Sequence, residues 1–348
     1  MISILVKNTN IFDFMPSIIK CLSYTLPSNV YTNEDYYSNF PDVKSVNMEK
    51  IGVKQRHVIT QGQTASDLAQ LAAEKLFLEH SIDRNMIDFL IVSILEHDYY
   101  TPSTACVLHG KLGLQKKCGA LDFDLGCSAY VYGLGLADGV MKSMGAKNVL
   151  LLTTSVLTKT FHPKDRNSHF VFGDAGTATL LTLSEKENLG PFVFGTDGSG
   201  FEKIIIRDGG SRNPLDKNSE NELKDEFGNI TSNANFAMDG IGVFNFSLKT
   251  VPTMIEELLT KASLTQNDID LFVFHQPNKF LNETLRKKMN IPEPKFVHCL
   301  ENTGNTVAGT IPIALYESIA NGRLKPGMTV VLAGFGVGLS WAATIARF

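Results

Sequence analysis

ALDFDLGCSAYVYGLGLADGVM, residues 120–141, reads as a strand, a turn and a helix in immediate succession. Leu121 to Leu125 form an apolar strand, and Gly126 interrupts it. After Cys127, small and apolar residues recur at helical spacing. This places Cys127 at the positive end of a helix, where an anion is stabilised, so its thiolate is expected nearer neutral pH. Gly126 and Ser128 are small and are expected to leave a substrate room to approach the sulfur. Taken alone, a cysteine in such a setting is more often a packing residue than a nucleophile.

Working outward, IDFLIVSI (Ile87–Ile94) and NVLLLTTSV (Asn148–Val156) read as buried strands. IDLFVFHQ (Ile269–Gln276) and MTVVLAGFG (Met328–Gly336) repeat the idea in the C-terminal half. TASDLAQLAAEKLFLEH (Thr64–His80) and VFNFSLKTVPTMIEELLTKA (Val243–Ala262) carry helical apolar spacing, the first opening on a Thr64–Asp67 capping box. Strands alternating with helices predict α/β architecture. A boundary is expected at Ser184–Leu189, where SEKENL separates two apolar runs. Residues 208–235, rich in Gly, Asn, Ser and charge, predict an exposed excursion.

Composition narrows the function. A net charge of -4 and a pI of about 6.1 argue against a nucleic-acid partner. No apolar run is long enough to cross a bilayer, and the N-terminus lacks the pattern of a signal peptide, so a cytoplasmic location is expected without membrane insertion. The five cysteines form no CxxC pair and have no His at zinc-ligand spacing, so neither disulfides nor a metal site are expected.

Three further segments carry polar chemistry. His275 follows the strand LFVF, at a sheet edge of the kind where α/β proteins bind ligands; a structural His is as common there. Asn305 lies in ENTGNTVAGTIPIAL (Glu301–Leu315), a tight turn followed by a small-residue helix. An Asn in a turn ordinarily bonds its own backbone. GFGVGLSW (Gly334–Trp341) has glycines that permit close backbone approach to a ligand, or simply turn a strand. His97, His109 and His298 are read as structural.

DLGCSAY, FGDAGTA (Phe172–Ala178), FHQPN, NTGNTVAGTIP and GFGVGLSW occur in an order that resembles the β-ketoacyl-ACP synthase III family, of thiolase fold. The similarity runs from about residue 17 to the end. It implies two similar βαβ-type halves in a five-layered α-β-α-β-α sandwich. The implied divisions are an extension (1–16), a half with the nucleophile (17–185) and a half with the His and Asn (186–348). It implies a triad of Cys127, His275 and Asn305, with an oxyanion hole from the backbone N–H groups of Cys127 and Val337. Cys127 would hold an acyl group, and His275 and Asn305 would donate to a malonyl- or β-ketoacyl-type thioester as it loses CO2. A homodimer, acyl-CoA or acyl carrier protein substrates, and no cofactor are implied with it. The alternative is an acyltransferase on the same scaffold that passes the acyl group from Cys127 to an amine or alcohol.

The chain departs from the family where coenzyme A is held. Val46 and Lys50 stand at positions where the family has a Trp that stacks on adenine and an Arg, while a second Arg is kept as Arg166. Losing the stacking face removes about 1–3 kcal/mol of base binding, by analogy with nucleic acids. Acyl carrier protein or a longer acyl-CoA is then as good a donor as acetyl-CoA. Thr101 occupies the position of a bulky aromatic that closes the acyl pocket. Lys249, Lys279, Arg286, Lys287 and Lys288 offer a basic face for an acidic carrier, or solvated helix ends. Glu96 is a further candidate base at a strand end.

Overall fold

A computed structural model describes residues 15–43, 46–185 and 189–348. Of the expected extension, only Met15 and Pro16 lie within these residues. The first main sheet contains β1 (Ser17–Thr25), β2 (Phe89–Ser93), β3 (Gly119–Phe123), β4 (Asn148–Ser155) and β5 (Ala175–Leu183), ordered β1-β5-β4-β2-β3. The second contains β6 (Leu189–Thr196), β7 (Leu271–Phe274), β8 (Thr329–Gly336) and β9 (Ser340–Arg347), ordered β7-β8-β9-β6.

The two sheets share a pattern. Each has a parallel pair, β2 with β4 and β7 with β8. An antiparallel strand follows, β5 or β9, and then another, β1 or β6, which is the first of its sheet in chain order. β3 extends the first sheet by one strand. In the second sheet the corresponding place holds a single parallel bridge from Phe272 to Phe296. The continuous apolar runs are explained by burial on both faces: β4 is buried from Val149 to Ser155, and β7 throughout.

Six helices complete the layers: α1 (Ala65–Glu79), α2 (Thr104–Lys111), α3 (Ala129–Met144), α4 (Gly240–Ala262), α5 (Lys279–Lys288) and α6 (Thr310–Ala320). α1 and α2 cover the outer face of the first sheet, and α4 and α5 that of the second. α3 and α6 lie between the sheets, where Tyr130, Leu134, Ile311 and Leu315 pack with Leu151 and Leu332. This is the five-layered thiolase arrangement. Each fully buried aliphatic in that central layer contributes about 1.5–3 kcal/mol.

Local signals agree with these elements. The Thr64 hydroxyl accepts from Asp67 N, and the Asp67 carboxylate accepts from Thr64 N at 3.0 Å, closing the capping box of α1. α4 begins at Gly240, ahead of the expected Val243, because the Asp239 side chain caps it at Gly242 N. The excursion at residues 208–235 is mostly exposed and carries a small hairpin, Leu223–Lys224 against Ile230–Thr231.

Candidate active site

Cys127 sits between the end of β3 and the start of α3, as its flanking sequence predicts. The glycine-rich end of β8 lies directly against it. A Cβ at Gly336 would come within 2.6 Å of Cys127 Cβ and 2.7 Å of its Sγ. A Cβ at Gly334 would lie 2.8 Å from the Cys127 carbonyl oxygen. Gly334 and Gly336 of GFGVGLSW therefore serve contact between the two halves at the nucleophile. The space left by Gly126 is not open to a substrate: Val337, Val307 and Leu95 side chains fill it. Ser128 is buried and its hydroxyl meets that of Ser340 at 2.7 Å, so it too packs the join between the halves.

The backbone N–H groups of Cys127 and Val337 both donate toward Sγ. Val337 is absent from the non-glycine residues at positive φ, so a side chain is tolerated there. These bonds favour the thiolate, but burial outweighs them and pushes the Cys127 thiol up to about 11. The expectation of a thiolate nearer neutral pH does not hold in the free site: desolvation exceeds what the two backbone N–H groups supply.

His275 directly follows β7 and is buried, which lowers its pKa to about 3, so the ring is neutral. Its Nδ1 lies 2.7 Å from the Thr310 hydroxyl. With the proton on Nε2, Thr310 donates to Nδ1 and Nε2–H is the ring's remaining donor. Asn305 is held by its backbone to the start of FGDAGTA and the residue before it: Asn305 N donates to Val171 O at 2.8 Å, and Gly173 N donates to Asn305 O at 3.1 Å. Its Oδ1 accepts from Val307 N at 2.9 Å. The side chain does bond its own turn, and that bond leaves the Nδ2 end as the free donor. Val307 adopts φ 54, a left-handed conformation rarely held by a β-branched residue. Its N–H holds Asn305, and its carbonyl lies 3.1 Å from the Thr310 hydroxyl oxygen, whose one proton is taken by His275 Nδ1 when the ring proton is on Nε2.

Cys127, His275 and Asn305 all line one cavity of about 410 Å³. Its remaining wall is largely apolar, with Leu157, Phe172, Ile204, Phe236, Met238 and Phe335. Glu96 lines it too, from the loop after β2. Burial, with Asp174 nearby, raises the Glu96 carboxyl to about 7. Asp174 is itself raised to about 6 by burial, yet it has firm partners: Ile59 N and Thr158 N donate to it at 2.9 and 3.2 Å. Among the described residues, no group of three or more His, Cys, Asp or Glu side chains is arranged to hold a metal ion.

The residues expected to hold a carrier do not line this cavity. Lys50 and Lys279 are neighbours: Lys50 Nζ lies 5.6 Å from the Phe280 ring centroid, and Lys279 packs over Gly52. Lys249 projects from α4 toward Asp197, whose pKa is lowered first by the Ser199 hydroxyl and N–H and only then by this lysine. Arg166 donates to the Phe227 carbonyl of the excursion. Arg286 pairs with Glu283 at 2.8 Å, so it belongs to an ion pair and not to an open basic face. Thr101 is exposed and lies outside the cavity, whose apolar wall comes from other segments of the chain. His97, His109 and His298 bond Asp124, Gln115 O and Glu283. Sequence reasoning marked FGDAGTA and NTGNTVAGTIP as motifs but missed what Val307, Val171 and Gly173 do in holding Asn305.

The description "3-Oxoacyl-[acyl-carrier-protein (ACP)] synthase III" matches residues 121–198, and its C-terminal counterpart matches residues 259–348. A beta-ketoacyl-[acyl-carrier-protein] synthase III of Clostridium perfringens is 33% identical over 322 residues, covering 92% of this chain and 96% of that protein. A crystal structure of a 3-oxoacyl-(acyl-carrier-protein) synthase III superposes with a TM-score of 0.94 at 41% identity, covering 96% of this chain and all of the other. A 3-oxoacyl-(acyl-carrier protein) synthase from Burkholderia xenovorans superposes with a TM-score of 0.86 at 31% identity, covering 95% and 94%. No helix among the described residues is long and apolar enough to cross a membrane. By sequence along nearly its whole length and by fold, this chain belongs to the β-ketoacyl-[acyl-carrier-protein] synthase III family.

Proposed function

We propose that this chain catalyses decarboxylating Claisen condensation of an acyl thioester with a malonyl- or β-ketoacyl-type thioester, in fatty-acid initiation or a related lipid or polyketide pathway. The observation that carries the reading is the convergence of Cys127, His275 and Asn305 on one largely apolar cavity. Cys127 Sγ attacks the thioester carbonyl, and its bond to carbon forms as the donor's thiol leaves. The carbonyl oxygen is held by the N–H groups of Cys127 and Val337, which already point to the sulfur's surroundings. When the extender loses CO2, its enolate oxygen accepts from His275 Nε2–H and Asn305 Nδ2–H. Neutral donors suit this task, and burial keeps His275 neutral. The enolate carbon then attacks acyl-Cys127, forming the C–C bond and expelling the thiolate.

The apolar wall favours a hydrocarbon primer without internal charge. Lys50 and Lys279, with Lys249 and Arg166, are the cations for the phosphates of coenzyme A or an acidic carrier protein. No step requires a metal or redox cofactor. A homodimer is supported by edge strand β3, which among the described residues pairs only with β2, and by exposed apolar side chains at Leu136 and Phe194.

Intact-protein mass spectrometry tests this, using wild type and Cys127→Ala with acetyl-, butyryl- and octanoyl-CoA and the matching acyl carrier proteins. Malonyl-ACP is then added and CO2 release followed. An adduct confined to wild type and discharged with CO2 is expected. An adduct discharged only to an amine or alcohol makes the chain an acyltransferase, and no adduct with any donor overturns the reading.

A further inference from the structure

Acylation of Cys127 moves a proton that the triad is poorly placed to carry. The thiol must lose it before attack, and the departing thiolate must gain it afterwards. Burial holds the Cys127 thiol up at about 11 and His275 down at about 3, so neither exchanges a proton readily near neutrality. Among the described residues lining the cavity, Glu96 is the one carboxyl.

Its position has a counterpart. β2 and β7 are the corresponding strands of the two sheets, each the outer member of the parallel pair shared by both. The second half places His275 at the end of β7, and the first half places Glu96 just beyond the end of β2. Leu95, adjacent to Glu96, packs against Gly126, adjacent to Cys127. Glu96 and Cys127 thus enter one cavity from neighbouring strand ends of the first sheet.

A structural role is poorly supported by its bonds. Val156 N donates to Glu96 at 3.2 Å and the Ser155 hydroxyl at 3.4 Å, with its own N–H beside them, and no cation pairs with it among the described residues. The nearby Asp174 has the same kinds of donor but holds them more tightly, Ile59 N at 2.9 Å and the Thr158 hydroxyl closer still. The titratable groups around Glu96 are Asp174 at the start of β5, Cys127 and His275 across the cavity, and His97 and Asp98 on its own loop. His97 and Asp98 are engaged elsewhere, with Asp124 and Ser66.

Resting on the condensing reading above, we infer that Glu96 is the proton carrier for acyl transfer at Cys127. Its carboxylate takes the proton from Sγ through cavity water as the new S–C bond forms. When the tetrahedral adduct collapses and the donor's C–S bond breaks, the carboxylic acid returns that proton to the leaving thiolate. A carboxyl at about 7 is suited to both directions.

The test measures Cys127 alkylation by iodoacetamide, and single-turnover acylation by the acyl-CoA and acyl-ACP panel, from pH 5 to 9. Wild type, Glu96→Gln and Glu96→Asp are compared, with circular dichroism to establish folding. Wild type should show a rate that rises through an inflection near pH 7. Glu96→Gln should lose that inflection and acylate at least roughly 100-fold more slowly at pH 7.5, while Glu96→Asp keeps a displaced inflection. A wild-type profile with no inflection between pH 6 and 8 overturns the inference, however the variants fold. So does a Glu96→Gln profile that matches wild type. If no donor acylates wild type, the condensing reading fails and the acyl-transfer role of Glu96 falls with it, whereas acylation at a rate that ignores Glu96 overturns this inference alone.

Discussion

Replacing Gly336 by Ala tests whether the glycine-rich end of β8 fixes the nucleophile. The added Cβ would lie 2.6 Å from Cys127 Cβ and 2.7 Å from Sγ. Carbon atoms in contact prefer about 3.5–4.0 Å, so the two segments must separate by roughly 1 Å. Cys127 has little freedom to retreat, because Gly334 is already against its carbonyl and Val337 and Val307 occupy the space at Gly126. A displacement of that size takes Sγ and the Val337 N–H out of register. Misplacement by 1 Å costs on the order of 100-fold in rate. Overpacking adds about 1–3 kcal/mol of destabilisation. Single-turnover formation of acyl-Cys127, followed by intact mass, gives the rate, and thermal denaturation gives the stability. Gly139→Ala is the control: it lies in α3, the helix that follows Cys127, with nothing within 4 Å of the added Cβ. It should leave the rate unchanged and add up to about 1 kcal/mol of stability. A Gly336→Ala enzyme that acylates within about threefold of wild type would refute the argument that this contact positions the sulfur.

His275→Ala should still form acyl-Cys127 but lose roughly 100- to 1,000-fold in CO2 release from malonyl-ACP, since one donor to the enolate is gone; equal loss in both half-reactions would contradict that division of labour. Glu96→Gln should change how stability depends on pH. The folded carboxyl sits at about 7 against 4.5 when exposed, so its contribution is full below pH 4.5 and is lost as pH rises to 7. At about 1.36 kcal/mol per pKa unit, wild type loses up to about 3 kcal/mol over that window, and the variant is spared it. Urea midpoints between pH 4 and 8 measure the difference, and parallel curves would refute it. Gly195→Ala should destabilise by about 1–3 kcal/mol in thermal melts, because the new Cβ collides with the Trp341 ring on β9; an unchanged melting temperature would contradict this packing.

Local sequence carried much of the architecture. Buried strands and amphipathic helices were legible because their signals are contiguous: NVLLLTTSV overshoots β4 by one residue, and Thr64 with Asp67 marks the start of α1. The positions of Cys127 and His275 at strand ends were legible for the same reason, since a strand followed by a break predicts a sheet edge. The order of five motifs singled out Asn305, which its turn alone does not distinguish from an ordinary turn Asn. Tertiary structure decided the rest, because the site lies between two halves that meet only on folding. It turned the room beside Gly126 into a packed contact with Val337 and Val307, and it forced Val307 to φ 54 between Asn305 and Thr310. It also set the behaviour of the nucleophile: desolvation belongs to the whole fold, and here it outweighs the backbone N–H groups that favour the thiolate. The same desolvation made Glu96 a titratable group near neutrality, a property that no neighbouring residue in the sequence announces.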